Sequence, residues 1–274
     1  MSEYFLDIGW KSIRHAGEEL CGDHVDVIND HKGNLTAVVA DGLGSGVRAS
    51  ILSTLTSKII STMIAEGLPL KECVSTIAST LPVMKDKNVA YSTFTILHVS
   101  NEKTLHMVQY DNPSVILIRD GEIYDYAKQE LQMEEKKIYS SELTLQEGDM
   151  CIAMSDGCPY AGPGNMYNLA WKPADIAEYM QCLSFAGYDA RTLASLLVEE
   201  CNRLYEYRPA DDATGLVLSV RKRKQVNILF GPPKKMEDTE KMIHLFFEEE
   251  GMHIVSGGST SRMVARYLDT EVIP

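Results

Sequence analysis

The sequence predicts an α+β protein in which antiparallel sheets are covered by helices. Short runs rich in β-branched and aromatic residues come in blocks of consecutive strands, and those blocks are set apart from pairs of helical patterns. Turn dipeptides such as Asn112-Pro113, Asp120-Gly121 and Gly148-Asp149 punctuate the middle block, as hairpins require. Regular strand-helix-strand alternation, the mark of a parallel sheet, is not the dominant pattern.

In chain order, strand-like runs occupy Tyr4 to Ile8, His24 to Ile28 and Leu35 to Ala40. A long helix follows from about Val47 to Ala65, with apolar residues Val47, Ile51, Leu55, Ile59 and Met63 at every fourth position. That spacing predicts one buried stripe. Gly67 and Pro69 end this helix, and a second helical pattern runs through Cys73, Ile77 and Leu81. The runs "YSTFTILHVS", "TLHMVQY", "SVILIRDGEIYDY" and "DMCIAMSDG" read as strands, helices return at Ala174 to Cys182 and Arg191 to Tyr205, and "ATGLVLSV" makes a further strand.

The character changes near Lys222. The basic run "RKRKQ" reads as a solvated linker, and "VNILF", "GPP" and the acidic helix "MEDTEKMIHLFFEEEG" open a second unit. The expected domains are therefore 1–222 and 223–274. "HIVSGGSTSRMVARYL" predicts a strand, a glycine-rich turn and a helix capped by its N-terminal hydroxyls, and the chain stops at "EVIP" as if within that unit.

Composition narrows the function classes. With 274 residues and a net charge of −13, the chain can bury a sizeable core, and its field repels phosphate backbones and anionic lipid. No nucleic-acid or membrane partner is expected. No apolar run approaches the roughly 18 residues of a membrane helix, and the N-terminus lacks a signal-peptide pattern, which predicts a cytoplasmic protein. Six scattered cysteines without a C-x-x-C pair fit reduced thiols.

The stretch "TAVVADGLGSGVRAS" at Thr36 to Ser50 admits two chemistries. Gly44, Gly46 and Ala49 have the spacing of a dinucleotide-binding turn, with Glu66 near the position of a ribose acid. Glu66, however, ends a helical pattern rather than a second strand, Asp41 opposes an incoming pyrophosphate, and no Gly-Lys-Ser/Thr follows. The alternative is a metal site, with Asp41 and the carbonyl of Gly42 as ligands to a hard cation. Other aspartates recur in the same setting: Asp156 follows an apolar run and precedes Gly157, Asp23 follows Gly22, and Asp211 and Asp212 precede a strand. Four acidic strand ends without histidine pairs point to an oxygen-rich site for Mg²⁺ or Mn²⁺ rather than zinc.

The motifs "CGD" at Cys21 to Asp23, "ADGLGSGVRAS", "YDNPSVILIRDGEI", "LQEGDMCIAMSDG" and "ADDATGLVLSV" together resemble the metal-dependent protein serine/threonine phosphatases. Within this PPM family they are most similar to the bacterial branch typified by the stage II sporulation protein E phosphatase, across roughly residues 1 to 222. The resemblance implies an α-β-β-α sandwich with two metal ions in a cleft at one end. It makes Asp41 the bridging carboxylate, Gly42 the backbone ligand, and Asp156 and Asp211 further ligands; Asp23 matches the early acidic residue of the site, and Asp211 and Asp212 both stay open as the final ligand. Activity would then depend chiefly on Asp41 and Asp23. Two cations about 3.5–4 Å apart would share a water, lower its pKa and neutralise the phosphoryl oxygens during in-line attack.

The implied partner is a phosphorylated protein of the anti-sigma-factor antagonist kind, and a homodimer is one assembly the sequence leaves open. The helix Val47 to Ala65 and the loop Pro159 to Tyr167 are the expected walls of a docking surface. Cys21 stands where a serine is common, Cys158 and Pro159 replace the start of an acidic helix, and Arg48 is a weak counterpart of a phosphate-binding arginine. His24 reads as a strand-end residue. A pseudophosphatase that only binds partners is the alternative to an active enzyme, with the dinucleotide-binding enzyme behind it.

Overall fold

A computed structural model describes residues 4–80, 92–101, 103–133, 136–162 and 170–272. The chain divides into two compact units, Met1–Arg221 and Lys222–Pro274.

The first unit contains β1 (Tyr4–Ile13), β2 (Asp23–Asn29), β3 (Leu35–Gly42), α1 (Gly46–Ala65), α2 (Leu70–Thr80), β4 (Ser92–Ser100), β5 (Thr104–Tyr110), β6 (Ile116–Arg119), β7 (Glu122–Ile123), β8 (Gln129–Met133), β9 (Lys136–Thr144), β10 (Met150–Met154), α3 (Pro173–Ser184), α4 (Ala190–Leu204) and β11 (Ala213–Lys222). Among the described residues one sheet has the order β1-β11-β10-β6-β7 and the other β2-β3-β4-β5-β9-β8. Every ladder of the second sheet is antiparallel, as are those joining β10 to β11 and to β6.

Three apolar layers stack these elements. Leu35, Ala37 and Val39 of β3 meet Leu117, Cys151, Ala153, Leu216 and Leu218 between the sheets. The alternate residues Val38 and Ala40 turn outward to Ile60 and Ile64 of α1 and to Val74 and Ile77 of α2. On the far side, Ile152, Met154 and Val217 pack on Ile176, Met180, Leu193 and Leu197 of α3 and α4. Side chains alternate across a strand, so a strand buried on both faces must be apolar throughout. This accounts for "AVVA", "MCIAM" and "LVL", and the result is the expected α-β-β-α sandwich.

The expected facing of α1 fails. The apolar stripe of α1 is the exposed face: Val47, Ile51, Leu55 and Ile59 are 42–54% accessible. The buried face is Ala49, Ser53, Thr56, Ser57, Ile60, Ser61 and Ile64. Small residues let the helix approach β2 and β3 closely, and Ser57 and Ser53 bond back into the helix, Ser57 donating to the Ser53 carbonyl at 2.9 Å and Ser53 to that of Ser50 at 3.1 Å, while the buried Thr56 hydroxyl has no partner. Asp26 of β2 adds a buried anchor, accepting from Lys58 and Ser61. Leu55→Gln should therefore shift stability by no more than about 0.5 kcal/mol. Ser57→Leu, which overpacks a closed contact, should cost about 1–3 kcal/mol. Denaturant midpoints for the two variants check the assignment of faces, and a larger loss for Leu55→Gln would overturn it.

The second unit is β12 (Val226–Phe230), a short 3₁₀ turn at Met236–Asp238, α5 (Thr239–Glu248), β13 (Met252–Ser256) and α6 (Gly258–Tyr267). β12 and β13 pair in parallel, and Leu229, Ile243, Phe246 and Val264 form its core. The expected capping of α6 by its hydroxyls is not found: Gly257 is the N-cap residue, without a side-chain bond, and Thr260 Oγ1 instead accepts from the Gly231 amide at 3.2 Å.

Candidate metal centre

Strand register builds the site. Antiparallel pairing of β2 with β3 sets Asp23 directly opposite Asp41, and β4 continues the row with Thr93 opposite Asp41. From the other sheet, β10 ends at Met154 and β11 begins at Ala213, and their pairing of Met154 with Gly215 brings the segment carrying Asp156 beside Asp211 and Asp212. Both sheets therefore deliver carboxylates to the same end of the sandwich.

Close backbone approach fixes two glycines. A Cβ on Gly157 would lie 2.0 Å from the Asp212 carbonyl oxygen, and one on Gly42 would lie 2.1 Å from that of Ala49. The reason for glycine at position 42 is thus the packing of β3 against the first turn of α1. Tyr205 Oη donates to the Gly157 carbonyl at 2.8 Å and pins the segment after Asp156 to the end of α4.

The carboxylates perturb one another. Burial, then repulsion from Asp23 and Asp156, pushes Asp41 up to about 10, and Asp211 contributes as well. Burial and the charges of Asp212 and Asp211 hold Asp23 at about 7 despite the hydrogen bond from Ser155 that favours its ionised form. Asp211 rises to about 6 through burial and Asp156, and Asp156 is raised by burial and by Asp111. The side-chain hydrogen bond between Asp41 and Asp156 favours the protonated form of Asp41 and the charged form of Asp156.

Asp212 is turned differently. Its Oδ1 accepts from the His15 amide at 3.0 Å, while its own amide donates to Asp211 Oδ1 at 2.9 Å. Two buried carboxylate oxygens, Asp23 Oδ1 and Asp212 Oδ2, have no hydrogen-bond partner. Buried anionic oxygens without donors are costly, and a hard divalent cation is the group that satisfies several at once. The donor set fits Mg²⁺ or Mn²⁺: it is all oxygen, with Cys21 held protonated by burial beside Asp23 and Asp212. Among the described residues no three His, Cys, Asp or Glu side chains converge at ion-binding spacing.

Four neighbours were not legible in the sequence. His15 and Ser155 hold carboxylates, as above and below. Asp111, in a turn with φ of 55°, faces Asp156, and its signal was its place in "YDNPS". Glu18 accepts from Ser45 Oγ at 3.3 Å at the start of α1. His24 points away from the site: its ring Nδ1 lies 2.8 Å from Ser57 Oγ under α1, on the face of β2 opposite Asp23. Arg48 is exposed in the first turn of α1. Of the loop Pro159 to Tyr167, residues 163–167 lie outside the described residues.

The glycine spacing after Asp41 does not make a dinucleotide turn. β3 is flanked by antiparallel strands on both sides, and Glu66 is the C-cap of α1 rather than the end of a second parallel strand. The model of the stage II sporulation protein E (SpoIIE) family matches residues 31–221. The chain belongs to the SpoIIE family. It is 24% identical over 222 residues to the stage II sporulation protein E of Bacillus subtilis (strain 168), covering 79% of this chain and 26% of that protein. The corresponding protein of Priestia megaterium is 22% identical over 80% of this chain and 37% of its own length. The chain thus spans 26% and 37% of the length of these curated SpoIIE relatives.

Solved structures agree on the fold. The phosphatase domain of SpoIIE from Bacillus subtilis superposes with a TM-score of 0.59 at 21% identity, covering 84% of this chain and 99% of that one. The RsbU and RsbW domains of Rv1364c from Mycobacterium tuberculosis superpose with a TM-score of 0.65 at 17% identity, covering 89% and 67%. Among the described residues no helix of this SpoIIE-family chain is long and apolar enough to cross a membrane.

Proposed function

We propose that this chain is a metal-dependent phosphoprotein serine/threonine phosphatase domain of bacterial signalling, served by two Mn²⁺ or Mg²⁺ ions. The observation that carries the reading is that both sheets deliver Asp23, Asp41, Asp156 and Asp211 to the same end of the sandwich, where burial and the neighbouring carboxylates raise the pKa of each. Family membership supports it. Divalent ions in such a site polarise phosphoryl oxygens and supply a nucleophile near neutral pH.

Asp41, central to the mutual repulsion, is assigned to hold both ions, with the Gly42 carbonyl beside it. Asp156 and Asp211 complete the set from the second sheet. Asp23 presents one free oxygen to the cleft. Asp212 is assigned to brace Asp211 through its backbone amide, and with Oδ1 taken by the His15 amide its unpartnered Oδ2 stays open to the cation. These residues bind and orient; no side chain is needed as the attacking group.

A phosphoryl-binding cleft of this kind reads little beyond the phosphate, so specificity must come from surface outside it. The substrate class is therefore a folded phosphoprotein, of the anti-sigma-factor antagonist kind, rather than a free metabolite. Hydrolysis of a phosphoserine peptide measured against Mn²⁺ concentration tests the reading. Turnover that rises with Mn²⁺ and is lost in EDTA is expected. Undiminished turnover in EDTA overturns the metal centre, and tight phosphoprotein binding without turnover at any Mn²⁺ concentration makes the chain an adaptor instead.

A further inference from the structure

Ser155 precedes Asp156 and is wholly buried, yet its side chain faces a different acid. Its Oγ donates to Asp23 Oδ2 at 2.7 Å and accepts from the Thr214 amide at 2.9 Å. The backbone repeats the contact, the Ser155 amide donating to the Thr214 carbonyl at 3.0 Å. Thr214 Oγ1 in turn donates to Ser12 Oγ at 2.7 Å. Four elements are tied in one line: β1, β11, the end of β10 and β2. The Ser155 to Asp23 bond is the step in that line that crosses from one sheet to the other.

A hydroxyl has one proton to give. With the Thr214 N–H aimed at its lone pair, the Ser155 proton is directed to Asp23. One carboxylate oxygen is thereby committed, and the other, Oδ1, is the buried oxygen without a partner. The hydroxyl thus selects which oxygen Asp23 presents and in which rotamer. Rotation of Asp23 would break a bond buried on all sides, at a cost that surface hydrogen bonds do not carry.

We infer that Ser155 is the positioning residue of the metal centre, fixing the Asp23 carboxylate so that its free oxygen is aimed at the bound ion. The inference rests on the metal-dependent reading above. Its content is new to the site: the serine next to one ligand orients the acid supplied by the opposite sheet. Partners that orient a ligand characteristically contribute 10–100-fold to metal affinity.

Calorimetric titration of the purified metal-free chain with Mn²⁺, with wild type, Ser155→Ala and Ser155→Thr side by side, tests it. Ser155→Ala should weaken Mn²⁺ binding about 10–100-fold, raising the Mn²⁺ needed for half-maximal p-nitrophenyl phosphate hydrolysis while leaving the rate at saturating Mn²⁺ within a few-fold of wild type. Ser155→Thr, which keeps the hydroxyl, should restore the affinity. Should the alanine variant not fold, Ser155→Cys preserves the volume and offers only a weak donor, and it must show the same loss. Wild-type affinity in Ser155→Ala or Ser155→Cys, or failure of threonine to rescue, overturns the role of Ser155 alone. A wild-type chain that binds no Mn²⁺ overturns the metal centre and this role with it.

Discussion

Asp41→Asn is expected to abolish metal-dependent phosphatase activity and, in the same preparation, to leave the metal-free fold intact. The two halves have one cause. In the metal-free chain, burial and three neighbouring carboxylates hold Asp41 protonated at neutral pH, its pKa pushed up to about 10, with its side chain hydrogen-bonded to Asp156. Asparagine is the near-isostere of that protonated form and keeps a donor for Asp156. Its melting temperature in EDTA should match wild type or exceed it. With metal the balance reverses, because an amide cannot supply the charge that offsets two cations. Electrostatic stabilisation by such ions is worth several kcal/mol, and at 1.36 kcal/mol per tenfold the loss in kcat/KM should be about 10²–10⁴-fold. Calorimetric titration should show Mn²⁺ binding lost, and Mn²⁺ should no longer raise the melting temperature. Retention of wild-type turnover by Asp41→Asn would remove Asp41 from the centre, while unfolding in EDTA would mean that the carboxylate has a structural partner outside the cluster.

Much of this was legible in the sequence because period and punctuation report local geometry. Strands buried on both faces read as unbroken apolar runs, and the aspartates that follow or precede them stood at strand ends in β10 and β11, while Asp41 and Asp23 proved to be the last and first acidic positions of paired strands. What failed was the facing of α1. A four-residue apolar spacing marks a stripe but carries no statement of which way the stripe points, and here serine and threonine make the close contact while Val47, Ile51, Leu55 and Ile59 face outward. Ser155, His15 and Glu18 were invisible for another reason. Each acts through a partner far along the chain, 132 residues away for Ser155 and 197 for His15, and no local pattern encodes such a pairing.

The metal-free protein should lose stability as the pH rises from about 5 to 7.5, the reverse of the trend set by paired surface acids. For a carboxyl whose pKa is higher in the folded than in the unfolded state, the folded chain binds more protons between the two values, so stability falls with rising pH across that interval. Asp211, raised to about 6, and Asp23, raised to about 7, place the interval between about 4 and 7, and Asp41 extends it upward. Below pH 4 the opposite trend takes over, because Glu200, held low by Arg203, is then protonated. Each pKa unit is worth 1.36 kcal/mol at most, and mutual coupling and partial solvent access reduce the sum to a few kcal/mol. At about 2–4 °C per kcal/mol, the melting temperature in EDTA should drop by roughly 5–10 °C between pH 5 and 7.5. Saturating Mn²⁺ should cancel the drop, since ions compete with the protons for the same oxygens, so the gain in melting temperature from Mn²⁺ should be small at pH 5 and largest at pH 7.5. Asp41→Asn separates this linkage from a general acid effect: it should lessen the fall with pH in EDTA, leaving the part set by Asp23 and Asp211, and erase the response to Mn²⁺. A wild-type melting temperature that climbs with pH in EDTA would show that the four carboxylates do not repel one another in the folded chain, and the electrostatic basis of the site would fall with it.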